Sequence, residues 1–413
     1  MRTSADRPAS AHRRSAVTYG ALVVLAGLNL RDPITSVSAT LDAVGAQYDL
    51  TSVGTTMLSS LPVLLLAVGA PLAPVLERKL GSERSVLLLA TLLALSVALR
   101  PVAPAALFLG TVVVGTSISG LSVLMPHLIR EHLGRAAGLW SGVFSTSFGV
   151  SAAIGAGLTV PLVTQLDSLP LALASWSLLA IALALVASVV AHRAAGARRA
   201  ASAAPADDSR QPFRATPLLW QVTGFFGCQA LVFFAVIAWL PTLYVDRGTS
   251  AEHAAALLAW LSIAGLPASL LVSLVAGRLR RQHVLVALVG VGVVIGLAGV
   301  AWAPLELAPA FIAVLGFAQG AAFGLGVSLI VLKAQGDVAA FSAFAQGFGY
   351  AIAALGPFAL GLLHAAEVPW TVAVGILIAV VAAQTAAGWA AGRRVVVAAD
   401  PPAARLAHVG GRS

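Results

Sequence analysis

Residues 284–302, VLVALVGVGVVIGLAGVAW, carry no charged side chain over a length that spans the hydrocarbon core of a bilayer. Residues 85–99, SVLLLATLLALSVAL, do nearly the same. In lipid every backbone N–H and C=O must be bonded within the spanning structure, so only helices and closed barrels qualify. Barrel strands alternate apolar and polar residues; these runs do not alternate, which selects the helix. Composition points the same way, with 59% hydrophobic and 10% charged residues, against about 25% charged in soluble domains. The fold class is an all-α integral membrane protein.

Apolar runs set against polar breaks predict twelve transmembrane helices, starting near Ala16, Thr51, Arg84, Pro104, Arg135, Ser168, Pro217, Ala251, Gln282, Glu306, Asp337 and Pro369. The expected organisation is a basic N-terminal tail at 1–15, a six-helix bundle at 16–191, a linker at 192–216, a second six-helix bundle at 217–392 and a tail at 393–413. The linker is rich in Ala, Arg, Ser and Pro, as a flexible connection between domains would be. No cleavage site follows the first apolar stretch, so no cleaved signal peptide is expected. The single cysteine, Cys228, excludes internal disulfides and multi-thiolate metal sites.

The formal charge of +9 is topological rather than a sign of nucleic acid. With twelve spans, all of the 25 Lys and Arg residues except Arg31, Arg100 and Arg247 fall on the side of the termini and the linker. By the positive-inside rule both termini are expected in the cytoplasm of a multi-pass protein of the cell membrane. The halves also align with each other at an offset of roughly 200 residues: Pro62 matches Pro267 and Arg130 matches Lys333. Two six-helix pseudo-repeats in the same orientation are the pattern of two-lobed transporters with a midplane substrate site.

Helix 1 contains the sharpest anomaly, LNLRDPITS at 28–36. A central arginine costs roughly 2.5 to 3.5 kcal/mol even on the lenient insertion scale, so Arg31 needs a reason to be there. It is either a cavity-facing cation for an anionic or dipolar substrate or an internal partner of Asp32. Adjacent helical residues diverge by about 100°, and Pro33 withholds an N–H from the carbonyl of Asn29, so a broken helix would let Asn29, its carbonyl and Arg31 project together. At the same depth lie Ser117 and Ser119 on helix 4, Thr146 on helix 5, Gln229 on helix 7, Gln319 on helix 10 and Tyr350 on helix 11. The glutamines are substrate contacts or interhelical glue, while packing is the default for Thr146 and the serines. Gly316, Gly320 and Gly324 place three glycines on one face of helix 10, for close packing. Trp239 sits two residues before Pro241, in the core or at the outer end of a cavity; His127, next to Pro126, is structural or titrating near the inner face. Asp32 is the one carboxylate at core depth and hence the one coupling candidate, leaving proton coupling open.

No metal-ligand spacing, HExxH or Gly-Lys phosphate loop occurs, so no metal, cofactor, catalytic residue or enzymatic activity is expected.

Several segments together carry a resemblance: NLRDPITSV, LPVLLLAVGAPLAP, LMPHLIR, WLPTLYVDRG and GFAQGAAFGLGVSLIVLKAQ. From about Ala16 to Arg394 the chain resembles the cyanate permease and 2-nitroimidazole transporter family within the major facilitator superfamily. The resemblance implies alternating access, small polar or anionic substrates and a binding role for Arg31. The superfamily's loop 2–3 signature is degenerate, with Glu77, Arg78, Lys79 and Arg84 at altered spacing as inner-gate candidates.

The leading expectation is a monomeric transporter of a small polar or anionic organic solute, whose partners are that solute and the lipid bilayer, without nucleic acid. Asn29, Arg31, Gln229, Gln319, Thr146, Tyr350, Trp239 and His127 are the candidate site residues. Alternatives are an exporter of neutral or amphiphilic drugs, with a wide aromatic cavity, and a non-transporting membrane sensor.

Overall fold

The computed structural model describes residues 6–201, 215–334 and 337–394. The remaining parts of the expected linker and tails lie outside the described residues. Every regular element described is helical. Helix 1 is three pieces, α1 (Asp6–Leu28), α2 (Asp32–Ala39) and α3 (Leu41–Gln47), and helix 2 is two, α4 (Ser52–Gly69) and α5 (Leu72–Leu80). There follow α6 (Ser82–Leu99), a 3-10 turn at Arg100–Val102, α7 (Pro104–Leu133) and α8 (Ala137–Leu166). Helix 6 is α9 (Leu169–Ser175) and α10 (Ser177–Ala201). The second half is regular: α11 (Pro217–Asp246), α12 (Ala251–Arg278), α13 (His283–Trp302), α14 (Ala308–Lys333), α15 (Val338–Ala365) and α16 (Trp370–Arg393).

Local chemistry explains the starts. Thr51, Ser168, Thr216, Ser250 and Asp337 each accept a hydrogen bond from a backbone N–H of the following first turn. Pro104 and Pro217 occupy first-turn positions where a missing N–H costs nothing. Two expected boundaries move: α1 begins at Asp6, inside the expected tail, and α10 runs to Ala201, into the expected linker. Among the described residues ten helices are long and apolar enough to cross a membrane, the interrupted helices 1 and 2 accounting for the rest of the twelve.

The helices pack as two bundles, α1–α10 and α11–α16. Their mutual contacts pair α8 with α12 and α4 with α15, helix 5 with 8 and helix 2 with 11, as a pseudo-twofold requires. Small residues make the first pairing possible. A Cβ on Gly138 would stand 2.5 Å from the Gly277 Cα, and one on Gly142 2.9 Å from the Ser273 Cβ. These glycines lie at the end of the bundles nearest the linker, called here the linker face. At the other end α2 and α3 pack chiefly within their own bundle, on α4, α8 and α9. The expected helix 10 glycine face is also present: Gly316, Gly320 and Gly324 abut the α12 backbone at Leu261, Gly265 and Ser269.

Candidate functional site

The backbone break in helix 1 organises the site. α1 ends at Leu28, and Asn29–Arg31 form a turn before α2 restarts with Asp32 and Pro33 in its first turn. Ser151 of α8 seals the break. Its Oγ accepts from the backbone N–H groups of Arg31 (3.0 Å) and Asp32 (2.8 Å) and donates to Asp32 Oδ1 (3.2 Å). A single hydroxyl thus satisfies donors that a continuous helix would have bonded itself.

The break sends Arg31 and Asp32 in different directions, so the internal ion pair between them does not form. Asp32 is fully buried within the first bundle. Arg31 instead enters the cleft between bundles, its guanidinium carbon 4.9 Å from the ring centre of Phe148 on α8 and 5.1 Å from that of Phe234 on α11. It also interacts electrostatically with Tyr350 of α15. Among the described residues the guanidinium has no carboxylate and no hydrogen-bond partner, so its planar fork of donors is free.

Beside it lies a small central cavity of about 10 Å³, room for roughly one water. Its wall is aromatic: Phe144 and Phe148 from α8, Phe226 from α11, Phe323 from α14 and Tyr350 from α15, with Ser122 and Gln346 as polar lining. Phe148 and Phe323 meet across the bundle interface with ring centres 4.9 Å apart, and Phe226 meets Tyr350 edge-on at 5.4 Å.

Gln319 is one turn along α14 from Phe323, and Gln229 is three residues along α11 from Phe226, so each adjoins the face that lines the cavity. Both are buried, and Gln319 Oε1 and Nε2 and Gln229 Oε1 lack partners among the described residues. Orphaned amides at this depth are costly unless something polar meets them in another state. Of the expected set, Arg31 and Tyr350 stand at the cleft, and Gln229 and Gln319 share helix faces with residues that line its cavity.

The rest of the expected set lies elsewhere. Asn29 does not project with Arg31; its Nδ2 donates to Leu25 O (2.8 Å) and to Leu179 O of α10 (3.2 Å), tying helices 1 and 6 together. The turn rotates it away from the cleft. Thr146 bonds Ser269 of α12 at 2.8 Å, a contact between bundles rather than a wall of the cavity. Ser119 Oγ donates to Leu66 O (2.8 Å), as packing would have it. Trp239 donates to Pro357 O (2.9 Å) and meets the rings of His364 and Trp370 at a tilt, in a cluster wholly within the second bundle. His127 belongs to the linker face, its Nε2 3.2 Å from Glu77 and 2.9 Å from Glu131. There it joins the loop candidates Glu77, Arg78, Lys79 and Arg84 around a surface-open concavity of about 600 Å³. Gly81, at φ +83°, turns the chain between α5 and α6 at that point.

The sequence reading missed three residues. Arg100, placed there in an outer loop, is 2% exposed and reaches back into the bundle, donating to Pro33 O (2.6 Å) and Ser36 Oγ (3.3 Å). It acts on Asp32 electrostatically, as Arg31 does not, without forming an ion pair with it. Ser122 and Gln346 are bonded to each other across the bundle interface.

Comparisons with known proteins bear on the family and the fold. A family model described as the Major Facilitator Superfamily matches residues 20–357. The chain is 32% identical over 384 residues to the uncharacterized transporter YycB of Bacillus subtilis (strain 168), covering 90% of this chain and 92% of that protein. It is 32% identical over 362 residues to the 2-nitroimidazole transporter of Escherichia coli (strain K12), covering 85% and 90%. It is 28% identical over 347 residues to the cyanate transport protein CynX of the same organism, covering 83% and 89%. These last two are the family that the helix 1, 2, 4, 7 and 10 segments resemble. Among solved structures, the proton:xylose symporter XylE superposes with a TM-score of 0.71 at 12% identity, covering 93% of this chain and 98% of that one. FucP in its outward conformation gives 0.65 at 15% identity, covering 90% and 99%. At such identities the superpositions attest the fold alone.

Proposed function

This chain belongs to the Major Facilitator Superfamily, and from that premise we propose that it carries a small polar or anionic organic solute across the membrane by alternating access, with Arg31 as the principal binding group. It is a multi-pass membrane transporter of small solutes rather than an enzyme. The observation that carries the finer reading is the Arg31 guanidinium, held between Phe148 and Phe234 of opposite bundles with its donors unspent.

A cation at this depth is tolerated because the flanking rings stabilise it, by about 0.5 to 2 kcal/mol each when desolvated. Its donors are unspent among the described residues, and a carboxylate-like or similarly planar anion pairs with a guanidinium edge through two parallel hydrogen bonds. Gln319 and Gln229 supply further donors and acceptors from the second bundle, and Tyr350 a hydroxyl. A solute bridging Arg31 and these groups would touch both bundles, which is what lets binding energy act on their relative position. If the basic linker face is cytoplasmic, the present closure seals the cytoplasmic end.

The aromatic wall supports a second reading, in which the solute is a flat neutral heteroaromatic stacked on Phe148 or Phe323 with Arg31 addressing a polar substituent. A relative named as a 2-nitroimidazole transporter and another named as a cyanate transport protein fall on the two sides of this division. Purified protein in proteoliposomes, assayed with 2-nitroimidazole and with cyanate, separates them. The anionic reading expects Arg31→Ala to lose at least tenfold in cyanate uptake; unchanged uptake of an anion by that variant would remove Arg31 from the site.

A further inference from the structure

Gln346 of α15 makes two bonds to one residue of the other bundle. Its Nε2 donates to Ser122 O (3.0 Å) and its Oε1 accepts from Ser122 Oγ (3.0 Å), a hydroxyl proton shared with Ser119 O (2.9 Å), while Ser342 Oγ, one turn back, orients the amide at 2.8 Å. The acceptor has a specific origin. In an unbroken helix Ser122 O would receive the N–H four residues on, but that residue is Pro126, which has none. The proline therefore leaves a carbonyl free in the middle of a transmembrane helix, and Gln346 uses it. Ser122, Pro126 and Gln346 all line the central cavity. The pair stands on the linker side of Arg31, where Arg130 also donates to Ala334 O across the interface.

The geometry points to Gln346 as a substrate-released latch: its amide bridges the bundles at Ser122 when the linker face is closed, and a solute in the cavity takes over that amide, freeing the bundles to part. The inference rests on the transport reading above for the identity of the solute, but the bridge itself does not. A side-chain amide suits this role because it offers a donor and an acceptor in one plane, matching first a serine and its carbonyl and then a polar solute. The exchange keeps the Gln346 amide bonded in both states and leaves Ser122 Oγ its bond to Ser119 O (2.9 Å), while Ser122 O passes to the water of the opened cleft.

The Thr146–Ser269 oxygens, 2.8 Å apart, provide a reporter of closure. In a full-length Cys228→Ala background, Thr146→Cys with Ser269→Cys should cross-link under mild oxidant at a rate set by the closed population. Adding Gln346→Ala, with no solute present, should slow cross-linking about ten- to thirtyfold, the effect of two net hydrogen bonds. Ser122→Ala, which removes the hydroxyl bond and keeps the carbonyl, should slow it by about fivefold and serves if the Gln346 variant does not insert. Unchanged cross-linking in these variants overturns the latch whatever the protein transports. Adding 2-nitroimidazole or cyanate should slow cross-linking with Gln346 present and have no effect in Gln346→Ala, whose KM for the transported probe should rise. A probe that is transported with an unchanged KM by Gln346→Ala overturns the release step while the transport reading stands. Failure to transport either probe, with slowed cross-linking in Gln346→Ala, counts against the transport reading and upholds the bridge.

Discussion

Replacing Arg100 with methionine tests whether the break in helix 1 is held by a buried charge. The guanidinium is 2% exposed and spends Nη1 on Pro33 O and Nη2 on Ser36 Oγ, both on α2. Methionine fills much of the same volume but supplies no donors, so the packing loss is small and the polar loss dominates. Two hydrogen bonds from a charged donor contribute about 1.5 kcal/mol each, giving about 3 kcal/mol. Asp32, fully buried, also loses the only cation that acts on it among the described residues. Each bundle is in the size range where 1 kcal/mol moves a melting midpoint by about 2 to 4 °C, so Arg100→Met should lower it by about 6 to 12 °C. The assay is thermal loss of monodisperse protein on size exclusion in detergent, run beside Asp32→Asn and the double variant. Because the two groups share one environment, the double variant should cost less than the two single costs together, by about 1 to 2 kcal/mol. Strict additivity, or an Arg100→Met midpoint equal to the parent's, would refute the idea that this guanidinium anchors α2 and balances Asp32.

Further outcomes follow from the same packing. Ser151→Ala removes the acceptor shared by the Arg31 and Asp32 N–H groups and should lower thermal stability by about 1 to 3 kcal/mol, with weaker solute binding in a thermal-shift titration. Arg31→Lys keeps the charge but loses the plane that lies between two rings, so anion transport should fall mainly through a raised KM in proteoliposome kinetics. Gly277→Val puts a branched side chain against Gly138 of the other bundle; it should leave expression intact, prevent closure of the linker face and abolish uptake. Gly320→Val collides instead with the Gly265 backbone inside the second bundle, and its expected signature is loss of folded protein on size exclusion.

Much of the helix layout was legible because its signals are local. The caps at Thr51, Ser168, Thr216, Ser250 and Asp337 and the prolines at 104 and 217 stand in the sequence where the helices start. Pro33 likewise announced a break beside Arg31. The direction in which each side chain leaves that break was not legible, since it depends on where Ser151 and Leu179 meet the turn. Asn29 was accordingly misplaced, and the divergence of Arg31 from Asp32 could only be posed as alternatives. Arg100 was hidden by its own regularity, an arginine before a proline at a helix end. Its position on the side that otherwise carries only Arg247 was the available hint. The Ser122 bridge also had a signal, a proline four residues after a polar residue at membrane depth, which marks a carbonyl in need of a donor.

The energetics of the interface bear on why one chain can hold two arrangements. Contact between the bundles at the linker face includes Gly138, Gly142, Gly277 and Ser273, residues that bury little side chain and lose little when they separate, beside Leu266 and Leu270 of α12 packed on α8. Lipid offers no hydrophobic drive to hold such surfaces together, so closure depends on close backbone packing and a few polar bonds, Thr146 to Ser269 and Ser122 to Gln346 among them. Within the second bundle, by contrast, α12 and α14 interlock along the whole Gly316, Gly320 and Gly324 face, and α11 lies along α15. Rigid bundles that meet through small residues, aromatic packing such as Phe148 on Phe323 and a few polar bonds are bistable rather than deformable: parting the bundles exchanges that contact for lipid or water and breaks polar bonds worth about 1 kcal/mol each, whereas bending a bundle would break its packing throughout. A solute that replaces even two of those bonds is therefore of the right magnitude to move the equilibrium, and a solute that merely fills space is not.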